Sequence, residues 1–419
     1  MLGESELPER LRALPGMGEV LPVVAGGPPC HLVGGGVRDL LLGAESIDID
    51  VAVEGDVDAV AAALADRVGG EVVRHDRFGT ATVRAPGLHV DFARTRRETY
   101  PAPGALPEVE PAALDEDLGR RDFTINAIAL ALAPDRLGSV RDPHGGRDDL
   151  AAGLVRVLHP RSFADDPTRL LRAVRYAARF RFAIEPETER LARAAVAAGA
   201  PATVSGQRLG DELLDLLGEE EVLRGAEAMV ALGLDRALHP ALRADPRLVA
   251  SARLRATEIG ADPVLTALAS MCAAGADGRS GETGDGPELR EWVDRLAIGA
   301  AARDAVLRAG DRASSLVDRL RDDLRPSELH ALLSAEPPEA LALALALGAR
   351  AEPVLEYTSR LRQMRLEIDG GDLIAAGIPE SPAVGDALAR TLERKLDGEL
   401  DSREDELRAA VDLARDERA

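Results

Sequence analysis

The chain has 419 residues, 46% hydrophobic and 30% charged, with 73 acidic side chains against 51 Lys and Arg and a net charge of −22. That composition excludes a disordered chain, and at roughly 100–200 residues per domain it implies two to four domains. Its two cysteines, Cys30 and Cys272, form no CxxC pair, which excludes a disulfide framework or a cysteine zinc site and fits a reducing cytoplasm. The most apolar tract, 340–347, is about half the roughly 20 residues of a membrane span. Glu4, Glu6, Glu9 and Glu19 spoil the layout of a signal peptide, so a cytoplasmic protein with no membrane partner is expected.

In chain order, β-like runs at 31–33, 47–53, 71–73, 80–83 and 88–92 alternate with helical patterns at 36–42 and 58–67. They predict a small mixed-sheet domain over 1–149. Beyond it the period is helical: 166–180, 187–198, 208–217, 223–232, 289–298 and 301–316. The fold class is therefore α+β, a sheet-containing head followed by an all-α remainder. Residues 275–287 (GADGRSGETGDGP) predict a flexible loop and a subdomain boundary. The acidic tail still carries Leu400, Leu407 and Val411 for a packed final helix. No fixed-period repeat is present, against a solenoid.

The strand at 47–53 (IDIDVAV) points Asp48 and Asp50 to one face and Ile47, Ile49 and Val51 to the core. Two carboxylates on one face repel unless a cation sits between them, and hard oxygen ligands suit Mg2+ shared with substrate phosphates. A lone DxD is more often a half-solvated edge strand, but upstream lies VGGGVRDLLLG at 33–43. Gly34 and Gly35, between strand and helix, let backbone N–H groups approach a phosphate, and Arg38 in the first turn can neutralise one. Asp39 is read as a local brace. Asp91, on the strand at 88–92, can add a third carboxylate for two-metal phosphoryl transfer. These features together point to nucleotidyl transfer. His75-Asp76 is read as structural.

The string RRDFTINA at 120–127 is the most specific in the chain. With GGGVRDLLLG, DID, DPHGGRDDL (142–150), DDPTRLLRAVR (165–175) and SGQRL (205–209), it resembles class II CCA-adding tRNA nucleotidyltransferases and bacterial poly(A) polymerases, of the polymerase-β-type superfamily. The ordered match runs from about 31 to 217, and 366–400 looks like the family's tail. The resemblance implies a polymerase-β-like head over 1–149, a helical neck over 150–220 for base recognition, and an elongated body and tail over 221–419 that bind tRNA. It implies that Asp48 and Asp50 bind Mg2+, that Gly35 and Arg38 meet phosphates, and that Arg121, Asp122 and Asn126 hold ribose and triphosphate. Asp142 to Leu150 would be a hinge, and the segment between Arg94 and Arg120 a flexible loop. The substrates would be CTP, ATP and the 3′ end of tRNA, with the tRNA elbow held by the tail; nothing points to a protein partner. At Asp165 the chain departs from the usual glutamate, while the next aspartate is kept.

By the same resemblance Asp166, Arg169, Arg172 and Arg175 face the incoming base and phosphates. A physical logic supports this. Residues 151–182 hold seven arginines against two aspartates inside an acidic chain. On a helix Asp166 and Arg169 would share a face. Cytosine and adenine both set an amino donor beside a ring-nitrogen acceptor, which a carboxylate and a guanidinium match; guanine and uracil set a carbonyl there instead. Addition of CMP and AMP without a nucleic-acid template is the leading reading. An A-only or CC-only enzyme or a poly(A) polymerase is the enzymatic alternative, and an inactive RNA-binding module the non-enzymatic one.

Overall fold

The structure is a computed structural model that describes residues 2–44, 48–75, 79–273 and 287–416. It divides into two compact units, Met1–Leu238 and His239–Ala419.

In the first unit, α1 (Leu7–Ala13) and α2 (Met17–Val24) precede β1 (Cys30–Val33), α3 (Gly35–Leu42), β2 (Ile49–Val53), α4 (Val57–Val68), β3 (Glu71–His75), β4 (Thr80–Ala85) and β5 (Leu88–Arg94). After the hairpin β6 (Arg96–Thr99) and β7 (Glu108–Pro111) come α5 (Leu114–Gly119), β8 (Ala129–Ala131), β9 (Val140–Arg141) and α6 (Gly146–Ala152). The main sheet runs β3-β4-β5-β2-β1-β8-β9, with β2 and β5 parallel and the other neighbours antiparallel. Its backing helix α4 buries Val57, Val60, Ala61, Leu64 and Ala65, a stripe at helical spacing. Asp56 caps that helix by accepting the Ala59 amide at 3.1 Å, and Gly69 ends it in the left-handed conformation. The mixed sheet and helical remainder are the α+β architecture expected.

The unit continues through β10 (Leu154–Val155), α7 (Ser162–Asp165), α8 (Arg169–Phe180), β11 (Ala183–Ile184), α9 (Pro186–Ala197), α10 (Gly206–Gly218), α11 (Val222–Leu232) and α12 (Leu234–Leu238). The helix expected over 166–180 is thus broken at its start. Asp166 precedes Pro167, whose ring disfavours a helical conformation in the residue before it, and Asp166 is extended at φ −134°, ψ 95°. Asp166 and Arg169 therefore do not share a helix face. A turn after β9 braces this region: both carboxylate oxygens of Asp142 cap α6 at the amides of Gly146 (2.8 Å) and Arg147 (2.9 Å). A Cβ at Gly146 would lie 2.1 Å from the Thr124 carbonyl, so only glycine fits there.

The second unit is helical: α13 (Pro246–Ile259), α14 (Pro263–Cys272), α15 (Pro287–Arg295), α16 (Ala300–Arg319), α17 (Pro326–Leu333), α18 (Pro338–Ala346), α19 (Ala351–Ser359), α20 (Gly370–Ala375), α21 (Pro382–Leu396) and α22 (Arg403–Asp416). The apolar tract at 340–347 is α18 and its end; Ala340 to Leu345 are buried together among α13, α14 and α16. No described helix is long and apolar enough to cross a membrane. Most of the loop expected at 275–287 lies outside the described residues. It does not divide the units, because α14 and α16 on either side of it pack together and the division falls after Leu238. The final helix packs as expected, with Leu407 and Val411 against a core of Ile368, Leu373, Ile378, Ala410 and Ala414.

Candidate active site

Parallel pairing sets Asp50 of β2 opposite Asp91 of β5, so both carboxylates stand on one face of the sheet. Asp48 is exposed just before β2; Ile47, Asp76 and the side chain of His75 lie outside the described residues. Burial, the charge of Asp91 and, less strongly, that of Asp48 push the Asp50 carboxyl up to about 6 against the pull of Arg121. Thr82 donates its hydroxyl to Asp91 at 2.5 Å, and His89 stands 3.8 Å away. Among the described residues no three His, Cys, Asp or Glu side chains close into a ready metal cage. The set is a crowded, oxygen-only edge.

Next to it the chain turns from β1 into α3 at Gly34, whose φ of 71° and ψ of −140° favour glycine. A Cβ there would sit 3.0 Å from Arg121 Nη1 and 3.8 Å from Asp50 Oδ2. Arg38, expected to reach a phosphate, is instead 4% exposed and does not line the cavity described below. It holds both oxygens of Asp39 (2.8 and 2.9 Å), donates to Asn126 Oδ1 (2.8 Å), and lies 4.5 Å over the Phe180 ring. The reason is the amphipathic α8, which brings Tyr176 and Phe180 against the guanidinium.

A hydrogen-bonded chain continues from there. Asn126 donates to Asp122 Oδ1 (2.9 Å); Asp122 Oδ2 accepts two bonds from Arg172 (2.9 and 2.6 Å); Arg172 also reaches Glu212 (2.9 Å) and the Tyr176 hydroxyl (2.8 Å). Burial alone would raise the Asp122 carboxyl, but the Arg172 charge and the Asn126 bond hold it below the ordinary carboxylate range. The arginine excess of 151–182 is largely neutralised in the same way: Arg175 pairs with Glu212 and Asp215, and Arg156 with Asp149 and Glu185.

These elements enclose an open cavity of about 490 Å³ lined by Gly34, Gly35, Asp50, Arg121, Asp122, Asn126, Asp166, Arg169 and Arg172 among others. Arg175, like Arg38, is not on its wall. Arg121 donates Nη2 to Asp117 (3.0 Å), and its buried Nε has no partner among the described residues. Arg169, 5% exposed, is fixed by Ser162 Oγ (2.7 Å) and the Arg120 carbonyl (2.8 Å). Asp166 Oδ1 accepts from the Thr168 amide (3.1 Å), the Thr168 hydroxyl (2.7 Å) and Arg208 Nη2 (2.8 Å). Its Oδ2 accepts nothing among the described residues. One oxygen is locked and the other is open.

The sequence reading missed several wall residues: Arg96, Glu98, Tyr100, Arg120 and Arg208. Glu98 gathers Arg96 (3.0 Å), Arg120 (2.8 Å) and the Tyr100 hydroxyl (3.0 Å). Three of these, Arg96, Glu98 and Tyr100, sit in the segment expected to be a loop, which forms the β6–β7 hairpin instead. The tip docks: Gly104 donates to the Ala164 carbonyl (3.2 Å) and accepts from Arg208 Nη1 (3.3 Å). The SGQRL string flagged Arg208 without giving it a role.

Comparison with known proteins places this geometry. Residues 30–156 match the Poly A polymerase head domain. The chain is 34% identical over 389 residues to the A-adding tRNA nucleotidyltransferase of Halalkalibacterium halodurans, covering 90% of this chain and 87% of that protein. The chain belongs to this tRNA nucleotidyltransferase family. Similarity of the same kind extends to the A-adding tRNA nucleotidyltransferase of Geobacter sulfurreducens, at 38% identity over 92% of this chain, which spans 45% of that longer protein. It also extends to the CC-adding tRNA nucleotidyltransferase of Deinococcus radiodurans, at 34% identity over 90% of this chain and 87% of that protein. In structure the chain is similar to the Thermotoga maritima CCA-adding enzyme complexed with tRNA, with a TM-score of 0.79 at 29% identity over 97% and 98% of the two chains. The head-domain match stops at Arg156, so the tRNA nucleotidyltransferase cavity draws Asp166, Arg169, Arg172 and Arg208 from beyond it.

Proposed function

We propose that this tRNA nucleotidyltransferase adds CMP and AMP from CTP and ATP to the 3′ end of tRNA, releasing pyrophosphate, with base choice made by side chains. The observation that carries this reading is that a locked, half-open Asp166 and a fixed Arg169 line the same cavity as Asp50. In this reading 1–149 is the catalytic head, 150–220 the base-reading neck, and 221–419 the body and tail that hold the tRNA elbow.

The donor chemistry fits Mg2+: crowded carboxylates, oxygen only, open to water and phosphate. Asp50, with Asp48 and Asp91, would hold it. Bound there, the ion neutralises triphosphate charge and lowers the proton affinity of the attacking hydroxyl. The protein's own groups do the rest. Arg121, which lines the cavity with its Nη1 beside Gly34, offers its guanidinium to the triphosphate, and the glycines at 34 and 35 let that chain of phosphates come close to the backbone. Asn126, Asp122 and Arg172 stand on the cavity wall, and Arg38 braces them from behind through Asn126. Asp166 Oδ2 accepts from the amino group of C or A, while Arg169 donates to the neighbouring ring nitrogen. A carbonyl from G or U would face a carboxylate oxygen, a mismatch of about 1–3 kcal/mol or more in a desolvated site.

A second reading, addition of A alone, is favoured by the A-adding names of the Geobacter and Halalkalibacterium relatives. One assay separates the two. Transcripts lacking the whole CCA end, its last two nucleotides, or only the final A are supplied with each NTP separately. Extension of all three supports the first reading; extension only of the last, by ATP only, supports the second. No extension of any would overturn both.

A further inference from the structure

We propose that Arg362 and Arg365, on a cationic turn of the second unit, form a contact site for the phosphate backbone of structured RNA. The inference rests on the tRNA reading above and names residues for it. Residues 357–365 hold three arginines and no carboxylate, in a chain that is strongly acidic elsewhere. Helix α19 ends at Ser359, and a single 3-10 turn, Leu361–Gln363, follows. Leu361 is fully buried and pins the turn, which leaves Arg362, Gln363 and Arg365 exposed.

The charges there are left unanswered. Arg360 pairs with Glu356 at 2.5 Å, but Arg362 and Arg365 make no ion pair with any carboxylate among the described residues. Arg365 spends Nη1 on the carbonyls of Met364 (2.6 Å) and Arg362 (2.9 Å), which fixes its guanidinium on the turn. Elsewhere in the unit Arg303, Arg308, Arg312, Arg325 and Arg350 each hold an acidic partner. Behind the turn the His330 and Tyr357 rings meet edge-on at 6.0 Å. Burial, and then the Arg365 charge, hold His330 down toward the neutral form, so it adds no competing cation requirement. Tyr357 is only 6% exposed, which denies a base a stacking face. Two exposed cations without a stacking platform suit phosphates rather than bases.

The test uses the full chain and a tRNA lacking its final A, with Kd measured between 50 and 200 mM salt. Arg362→Ala/Arg365→Ala should weaken binding by roughly tenfold at the low end and flatten the log–log salt slope by roughly one to two. Lysine at both positions should restore most of the slope, which separates lost charge from lost fold. Arg321→Ala/Arg408→Ala removes the same net charge from arginines that already have partners, and should stay within about twofold of wild type. An alanine pair with wild-type Kd and slope, or a control pair that weakens binding equally, would overturn the site. A wild-type chain that neither binds nor extends tRNA would instead overturn the proposed function.

Discussion

Asp50 and Asp91 stand opposite one another across the parallel β2–β5 pair, with Arg121 and, less strongly, His89 drawing on Asp50 against their repulsion. That relationship makes the edge costly to the fold on its own and useful once a cation is bound. Asp50→Asn and Asp91→Asn should each raise the stability of the metal-free protein, on the order of 1 kcal/mol, and cut nucleotide transfer by about a thousandfold for Asp50. Added Mg2+ should raise the Tm of the wild type and not that of Asp50→Asn. Thermal melts with and without the ion, beside a transfer assay, check this.

The buried Asp122 and the half-buried Arg172 form a two-bond ion pair that ties α8 to the RRDFTINA turn. Removing one partner leaves the other charge unpaired, so Arg172→Ala should destabilise the first unit by roughly 3–5 kcal/mol. Adding Asp122→Asn should recover part of that loss, because the stranded charge is gone. Chemical denaturation of both single variants and the double variant gives the coupling.

Gly104 is held in the left-handed region, and a Cβ there would lie within 2.8 Å of three Thr203 atoms. Gly104→Ala should therefore free the hairpin tip from its dock while leaving the sheet intact. Limited proteolysis should cut faster within 100–107, with little change in Tm. Unchanged cleavage would mean the tip is held by other contacts.

Much of this is legible in the sequence. The strands at 47–53 and 88–92 alternate apolar and polar residues, and Asp48, Asp50 and Asp91 follow from that alternation. The β6–β7 hairpin was not legible, because RRET and EVEP offer no apolar face; cross-strand pairs such as Arg97 with Glu110 (2.5 Å) stand in for one. Arg38 looked free because sequence spacing does not show Phe180 and Tyr176 arriving from α8, about 140 residues later, to cover it. The helical period of 166–180 runs through Pro167 and hides the break that its ring imposes at Asp166. That break matters, since it leaves Oδ2 of Asp166 without a partner among the described residues.

Asp166 is the residue on which base choice turns in the proposed function. Its Oδ1 is locked by Arg208 and Thr168, and its Oδ2 is open in the cavity beside Arg169. The decisive measurement is kcat/KM for CTP, ATP, GTP and UTP with wild type and Asp166→Ala, at a fixed tRNA concentration. The preference for the accepted nucleotides over GTP and UTP should collapse by roughly 1–3 kcal/mol, about tenfold to a hundredfold, while the Mg2+ requirement persists. If Asp166→Ala lowered all four in proportion and kept the preference, the aspartate would be a brace only and base choice would lie elsewhere on the cavity wall.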